Sequence, residues 1–127
     1  MAEIRKLRLH KKGWQMVLSP LEEDVLNVLW KREEARVRDV HAHLSRRKRI
    51  ALTSVAVTLA RLHKKKAVQR RVETGRGGPH YLYTPLNGRA EFERSIIDSA
   101  VNRLISSFGS GAVTYFNERF GRRGRDD

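Results

Sequence analysis

The chain has 127 residues, a length that fits one domain plus a short accessory segment. It contains no cysteine, which excludes disulfides, thiolate metal sites and cysteine nucleophiles together. Lysine and arginine outnumber aspartate and glutamate by 27 to 14, which gives a formal net charge of +13. Such an excess attracts polyanions, so nucleic acid is the first expected partner and an anionic membrane surface the second.

Both ends of the chain are polar. Residues 1–14 are predicted to form a basic arm, which lacks the apolar middle of a secretion signal. Residues 122–127 are expected to form a disordered tail. No apolar stretch approaches the ~20 residues that a membrane-spanning helix needs. We therefore expect a cytoplasmic protein that associates with the nucleoid and has no membrane partner.

Three helices are predicted in the first half of the chain. Residues 19–22, Ser-Pro-Leu-Glu, combine a capping serine, a proline suited to the first turn and a glutamate three residues after the cap. A short second helix follows over about residues 37–44. The third runs from about residue 52 to 66 and buries a stripe that contains Val55, Leu59 and Leu62.

The apolar pattern changes from helical to alternating after residue 67. Val68 and Val72 alternate with polar residues, and Tyr81 and Tyr83 alternate after a glycine-rich turn at residues 75–79. An isolated hairpin is only marginally stable. We therefore predict a two-stranded hairpin that packs on the preceding helices.

A long helical pattern returns at residue 88. Two apolar rows run along it at i, i+4 spacing, one from Phe92 to Phe108 and the other from Ile97 to Ile105. A stripe this wide either folds back on the domain's own core or pairs with a second copy of the chain, and its width favours pairing. The predicted dimerisation residues are Ile97, Val101, Leu104, Ile105, Phe108, Val113 and Phe116.

Three helices followed by a hairpin are typical of a winged helix-turn-helix, whose third helix enters the major groove of double-stranded DNA. The outer face of the predicted third helix carries small, hydroxylated and basic side chains, and the hairpin turn carries an arginine. Hydroxyls and arginine suit base edges or phosphates, whereas lysines suit phosphates. The predicted DNA-binding residues are Thr53, Ser54, Val57, Thr58, Arg61, Lys64, Lys65 and Arg76.

Several of these residues have a purely structural alternative. Thr53 also suits a helix cap, and Val57 suits a core position at a helix junction. The lysines at 64–66 suit a solvated helix end that is stabilised by the helix dipole. Arg76 suits an ordinary mobile turn.

The sequence gives no sign of enzyme chemistry. His41 and His43 lie two residues apart on a predicted helix, so they point to different sides and make a poor metal pair. A phosphate-binding glycine loop and a nucleophile motif are both absent from the sequence. We expect no catalytic residue, no metal and no cofactor, and the sequence identifies no small-molecule effector.

Several motifs of the chain occur together in one known family. They are Leu18-Ser19-Pro20-Leu21-Glu22, Val28-Leu29-Trp30, Val37-Arg38-Asp39-Val40, Thr53-Ser54-Val55, Leu59-Ala60-Arg61-Leu62 and Tyr81-Leu82-Tyr83-Thr84-Pro85. Over residues 16–120 the chain resembles the BlaI/MecI penicillinase-repressor family, and residues 104–120 look like that family's dimerisation element. The resemblance implies a homodimeric repressor that binds an operator palindrome and blocks transcription. It places Thr53, Ser54, Val57 and Arg61 at DNA-facing positions.

The chain departs from this family at identifiable positions. Val57 stands where relatives often have a second threonine, and Lys66 replaces the glycine that usually ends the recognition helix. Relatives that respond to β-lactams are cut at an Asn-Phe bond, whereas the nearest pair here is Phe116-Asn117, in reverse order. The cysteines of the copper-responsive branch are absent. The resemblance therefore does not extend to either inducing signal.

These patterns together predict a mostly α protein with a small β-hairpin. A winged-helix domain over residues 15–86 is followed by C-terminal dimerisation helices over residues 87–121. The leading hypothesis is a sequence-specific repressor that acts as a homodimer on a pseudo-palindromic operator. The alternative hypothesis, which the net charge favours, is a nucleoid or architectural protein that binds DNA with little sequence preference. The third hypothesis is a winged-helix protein-interaction module.

Overall fold

A computed structural model describes residues 7, 8, 11 and 13–125 of the chain. After a 3-10 turn (Gly13–Met16), three helices follow: α1 (Pro20–Arg32), α2 (Val37–Leu44) and α3 (Leu52–Lys64). An antiparallel hairpin then pairs β1 (Val68–Gly75) with β2 (Gly78–Pro85), and the helices α4 (Arg89–Phe108) and α5 (Ser110–Arg125) complete the order. This order confirms the predicted winged helix-turn-helix. In the described part of the chain, no helix is both long and apolar enough to cross a membrane.

Helix α1 begins at the capping motif that the sequence predicts. The backbone N–H of Glu22 donates to Ser19 Oγ at 3.2 Å, and the backbone N–H of Ser19 donates to Glu22 Oε1 at 3.0 Å. Two amide groups that the first turn would otherwise leave unpaired are therefore satisfied by side chains. This reciprocal capping sets the residue at which α1 begins.

One hydrophobic core joins all three helices to the hairpin. Its fully buried side chains include Leu29 of α1, Val40 of α2 and Leu59 of α3, and Tyr83 of β2 is 2% exposed. A single-residue bridge strengthens the contact with the hairpin, because Ala35 and Tyr83 exchange both backbone hydrogen bonds, at 3.0 and 2.9 Å. The hairpin is therefore fixed at its base to the α1–α2 connection.

The first part of helix α4 packs in the core of the winged-helix domain, and the rest of the helix lies outside that core. Phe92 and Ile96 are buried in the core of the winged-helix domain, and Phe92 packs edge-on against Trp30 with 5.6 Å between ring centroids. The indole N–H of Trp30 donates to the carbonyl of Asn87 at 2.9 Å, which fixes the start of the helix. Between residues 97 and 121 no side chain is buried. The C-terminal stripe therefore does not fold back on the domain's own core.

The ends of the chain differ from the prediction. Helix α5 continues to Arg125, so the boundary predicted between the helical segment and a disordered tail at residue 122 is wrong. Residues 126 and 127, and most of the predicted basic arm, lie outside the described residues. In the described part of that arm, Leu7 packs against the core and the Arg8 guanidinium donates to the carbonyl of Leu18 at 2.5 Å.

Candidate nucleic-acid interface

Helix α3 has one buried and one exposed face. Val55, Leu59 and Leu62 are fully buried, as the apolar spacing predicts. The opposite side exposes a row of side chains over most of the helix length. These exposed residues are Thr53, Ser54, Val57, Arg61 and Lys64. In the described part of the chain, neither Arg61 nor Lys64 has a hydrogen bond or ion pair to another side chain. The row is therefore open to an external partner.

Two structural alternatives for this row are removed. The residue that caps α3 is Ala51, which makes no side-chain hydrogen bond, so Thr53 lies inside the helix and is not its cap. Val57 is 49% exposed and is not a core residue. An exposed valine between hydroxyl and guanidinium groups offers the methyl surface that suits a thymine methyl.

The prediction that Thr58 contacts DNA is wrong. Its side chain is only 4% exposed, and its hydroxyl donates to the carbonyl of Ser54 at 2.7 Å within the same helix. Thr58 lies three residues after Val55 and four before Leu62, which places it in the buried row. Its internal hydrogen bond satisfies the hydroxyl, so the group is accommodated in the core.

The prediction for Lys65 also needs correction. Its ammonium group forms an ion pair with Glu22 Oε2 at 2.7 Å, donates to Glu22 Oε1 at 2.9 Å, and donates to the carbonyl of Val17 at 3.2 Å. Lys65 therefore fastens the end of α3 to the start of α1 and does not join the exposed row. Burial raises the pKa of Glu22, but the hydrogen bonds from Lys65 and Ser19 outweigh it and hold that pKa below its ordinary value.

Lys66 ends the turn after α3 in a left-handed conformation, with φ of +60°. This is the position where the resemblance expects glycine, and the strain of a side chain there costs about 1–2 kcal/mol. Its backbone N–H donates to the carbonyl of His63 at 3.1 Å, which closes the turn toward β1. The β1–β2 hairpin, which is the wing of this fold, therefore follows α3 through a tight and strained connection.

The tip of the wing brings further basic groups to the same side of the domain. The hairpin loop consists of Arg76 and Gly77, and Gly77 has a φ of +89° that a side chain would disfavour. Arg76 lines a groove between the hairpin, the first turn of α2 and Leu52 at the start of α3, which we call the wing groove. The α2 side of this groove contributes Arg36 and Arg38.

These two arginines were missed by the sequence analysis. They belong to the connection before α2 and to its first turn, and only the folding of the wing places them beside Arg76 and the start of α3. Arg36 forms an ion pair with Asp39 at 3.6 Å, whereas Arg38 is exposed. Leu52, which lines the wing groove, directly precedes the exposed row of α3, so the groove lies beside the start of that row.

The predicted dimerisation residues are exposed to different degrees. Phe108 is 71% exposed, Ile97 63%, and Leu104 and Val113 both 41%. Val101, Ile105 and Phe116 are only partly exposed. An apolar stripe of this size remains uncovered along both helices.

The described residues offer no candidate metal site. In the described ranges, no three His, Asp or Glu side chains come together in a way that could hold a metal ion.

The burial of His43 and the positive charges of Lys31 and Arg46 lower the pKa of its imidazole.

Comparisons with known proteins agree with this geometry. The profile of the penicillinase repressor family matches residues 18–120. The transcriptional regulator BlaI of Mycobacterium tuberculosis is 35% identical over 106 residues, which cover 82% of this chain and 74% of that protein. These relatives are transcriptional regulators and not enzymes, as the sequence analysis expected.

A solved structure shows the same fold. A possible transcriptional regulator from Methanosarcina mazei superposes with a TM-score of 0.53 and 17% identity, and covers 86% of this chain and 78% of its own. The DNA-binding domain of the repressor BlaI superposes with a TM-score of 0.49 and 27% identity, over 57% of this chain and 84% of that domain. On its sequence profile and its most similar relatives, this winged-helix chain belongs to the penicillinase repressor family.

Proposed function

We propose that this protein is a sequence-specific transcriptional repressor that binds double-stranded DNA as a homodimer, on an operator of two symmetric half-sites. The observation that carries the proposal is the exposed row of α3, in which Ser54, Val57 and Arg61 stand free of the core. A helix with such a face fits the width of the major groove.

The exposed row of α3 and the wing groove have separate tasks in this proposal. Thr53, Ser54 and Val57, in the first half of α3, contact base edges, and Arg61, in its last turn, reaches a guanine or a phosphate. Lys64 at the end of the helix and the arginines of the wing groove contact phosphates. Phosphate contacts supply affinity and orientation, whereas base contacts supply sequence preference.

The homodimer is supported by the uncovered stripe of α4 and α5. Aromatic and aliphatic side chains such as Phe108 and Ile97 are mostly exposed in the single chain. Pairing with a second copy covers the same stripe on both chains, as a two-fold symmetric interface requires. Two α3 helices then meet two half-sites whose centres lie about 10 bp apart.

Selection of bound sequences from a random duplex pool at about 150 mM salt tests this function, since nonspecific binding is weak there. We expect enrichment of a palindrome with half-sites one helical turn apart. Enrichment of a single half-site would contradict the homodimer on DNA. Binding at low salt with no enrichment would replace the proposal by the architectural, DNA-coating alternative that the charge of +13 favours.

A further inference from the structure

The first turn of α4 is attached to α1 by polar contacts as well as by the core. The Arg89 guanidinium donates to Asn27 Oδ1 at 2.9 Å, and its central carbon lies 5.4 Å from the centroid of the Trp30 ring. The indole N–H of Trp30 donates to the carbonyl of Asn87, two residues before the helix. We call Asn27, Trp30, Asn87 and Arg89 the α1–α4 joint.

The α1–α4 joint continues the core outward. Asn27 and Trp30 lie three residues apart on α1, so they share one face of that helix. Both are partly exposed, whereas Arg89 is exposed. One side of the joint reaches the core, because Trp30 packs edge-on against the buried Phe92. At the other side, the guanidinium is within the distance at which a cation is attracted to an indole ring.

The buried attachment of α4 to the winged-helix domain is short. Its buried residues are Phe92, Ser95 and Ile96, and the helix rises about 6 Å from the first of these to the last. From Ile96 to Phe108 the helix rises a further 18 Å or about that length. None of the described side chains between residues 97 and 108 is buried. Arg89, three residues before Phe92, extends the attached length to about 10 Å.

Apolar contacts and hydrogen bonds constrain this attachment differently. The hydrophobic effect is non-directional, so Phe92 and Ile96 hold α4 against the core without favouring one angle strongly. A hydrogen bond weakens steeply when its geometry bends, and one from a charged guanidinium is stronger than one between neutral groups. The contact between Arg89 and Asn27 therefore favours one tilt of α4 on the domain.

A small change of tilt at the α1–α4 joint becomes large at the uncovered stripe. A tilt of about 10° moves the end of an arm of about 18 Å by about 3 Å. Successive base pairs of DNA lie about 3.4 Å apart. In the proposed dimer, in which two stripes pair, such a tilt would move each α3 by about one base pair relative to its counterpart.

We propose that Arg89 is a positioning residue that, through Asn27 and Trp30, sets the angle between α4 and the DNA-binding domain and so restricts the operator to one half-site spacing. This rests on the proposed homodimeric repressor and adds to it the contact that selects the spacing. Base contacts from α3 determine which half-site is bound, and the α1–α4 joint determines how far apart two half-sites lie.

The test measures affinity of the full chain for the selected palindrome and for versions whose spacer is one base pair shorter or longer. We expect the preference of wild type for its selected spacing to fall about 5-fold in Arg89→Ala, the factor that one hydrogen bond of ordinary net strength contributes. The matched control is Arg94→Ala, which removes the same charge from another exposed position of α4 and should keep the preference. Each preference is a ratio for one variant, so the general effect of a lost charge cancels.

The variant Asn27→Ala distinguishes the hydrogen bond from separate effects of the two side chains. If the bond carries the preference, Asn27→Ala and the double variant Asn27→Ala/Arg89→Ala should each lose as much as Arg89→Ala alone. Losses that multiply in the double variant would overturn the proposal. Affinity for an isolated half-site should be unchanged in every variant, because α3 is intact, and it verifies folding.

A measurement without DNA follows the angle itself. The sequence has no cysteine, so Ala42→Cys in α2 and Ser106→Cys in α4 provide two exposed sites for nitroxide labels. An excess of unlabelled chain leaves one labelled chain in each dimer. We expect pulsed electron paramagnetic resonance to give a broader distribution of label distances in Arg89→Ala than in wild type. Equal widths would overturn the role of Arg89.

The outcomes separate this proposal from the repressor function. A wild-type chain that enriches no paired half-sites would overturn the homodimeric operator, and the role of the joint in spacing with it. A wild-type chain that selects one spacing, together with an Arg89→Ala variant that keeps the full preference, would overturn the role of Arg89 alone. A loss of preference in Arg94→Ala equal to that in Arg89→Ala would also overturn it.

Discussion

The winged-helix domain buries its apolar side chains within the single chain, whereas the C-terminal helices leave many of theirs exposed. The domain buries its large side chains in one core, and it holds that core with a capping box, a bridge between Ala35 and Tyr83, and the Lys65–Glu22 ion pair. Between residues 97 and 121 no side chain is fully buried, and Phe108 and Ile97 are mostly exposed. One region is complete within a single chain, and the other leaves an apolar surface that the proposed dimer would cover.

This difference predicts where substitutions act. Changes in the domain should alter stability or DNA contact in each chain separately, independently of protein concentration. Changes in the C-terminal helices should alter association and hence depend on concentration. The following predictions, from the largest effect to the smallest, test that division.

The largest effect is expected from Leu104→Asp. The new carboxylate would be buried at two symmetric positions of the interface, so the dimer dissociation constant should rise at least about 100-fold. Sedimentation measures it, and the matched control is Ser106→Asp, which lies on the other side of α4 at about 100° per residue. A Leu104→Asp protein that stays dimeric at low micromolar concentration would show that the stripe is not the interface.

The next effect concerns Glu22 and pH. Because the folded state lowers the pKa of Glu22, the carboxylate contributes stability above its unfolded pKa and loses that contribution as pH falls through the folded value. We expect Glu22→Gln to reduce the free energy of unfolding by about 1–2 kcal/mol at pH 7. The deficit should shrink below about pH 5.

Urea unfolding of both proteins at pH 7 and pH 4 measures this difference. Lys65→Met provides the matched control, because it removes the other member of the pair while Ser19 still caps α1. A deficit for Glu22→Gln that is the same at both pH values would show that the ion pair adds nothing to stability. Neither variant should change dimerisation, because both residues lie in the winged-helix domain.

Arg61→Ala separates DNA contact from stability within the domain. Arg61 is exposed and stands in the DNA-facing row, so we expect about a 10-fold loss of specific affinity with an unchanged melting temperature. Fluorescence anisotropy on the selected operator measures the loss. The control is Lys65→Met, which should lower the stability of the protein while its folded fraction binds the operator normally. An unchanged operator affinity of Arg61→Ala would contradict the proposed DNA contact of Arg61.

The smallest effect is expected from Lys66→Gly. Glycine relieves the strain of φ +60° but makes the unfolded chain more flexible, so the net gain is about 0.5–1 kcal/mol. Thermal unfolding at a fixed protein concentration detects it. A loss of stability would show that contacts of the lysine side chain matter more than the backbone conformation.

Local patterns explain why much of the fold follows from the sequence. The Ser19 to Glu22 motif determines the start of α1 through hydrogen bonds between neighbours in sequence, and the glycines near Arg76 determine the turn of the hairpin. Thr58 was also within reach of such reasoning, because its spacing from Val55 and Leu62 is that of the buried row. Its hydroxyl was given more weight than its position.

The remaining errors come from contacts between distant residues. Lys65 finds Glu22 across 43 positions, and no local pattern tells that lysine from Lys64. The wing groove is similar, since Arg36 and Arg38 join Arg76 only when the hairpin packs against α2. A single bridge such as Ala35 with Tyr83 leaves no periodic trace in the sequence.

The continuity of α4 has a consequence for the geometry of the proposed dimer. One unbroken helix carries Phe92 and Ile96 in the DNA-binding domain and Leu104 and Phe108 in the uncovered stripe. Inserting one residue between them would advance the domain by about 1.5 Å and rotate it by about 100°. The helix therefore holds the DNA-binding domain at a fixed rotation relative to the stripe. In the proposed dimer, the number of residues between Ile96 and Leu104 would set the spacing of the two operator half-sites.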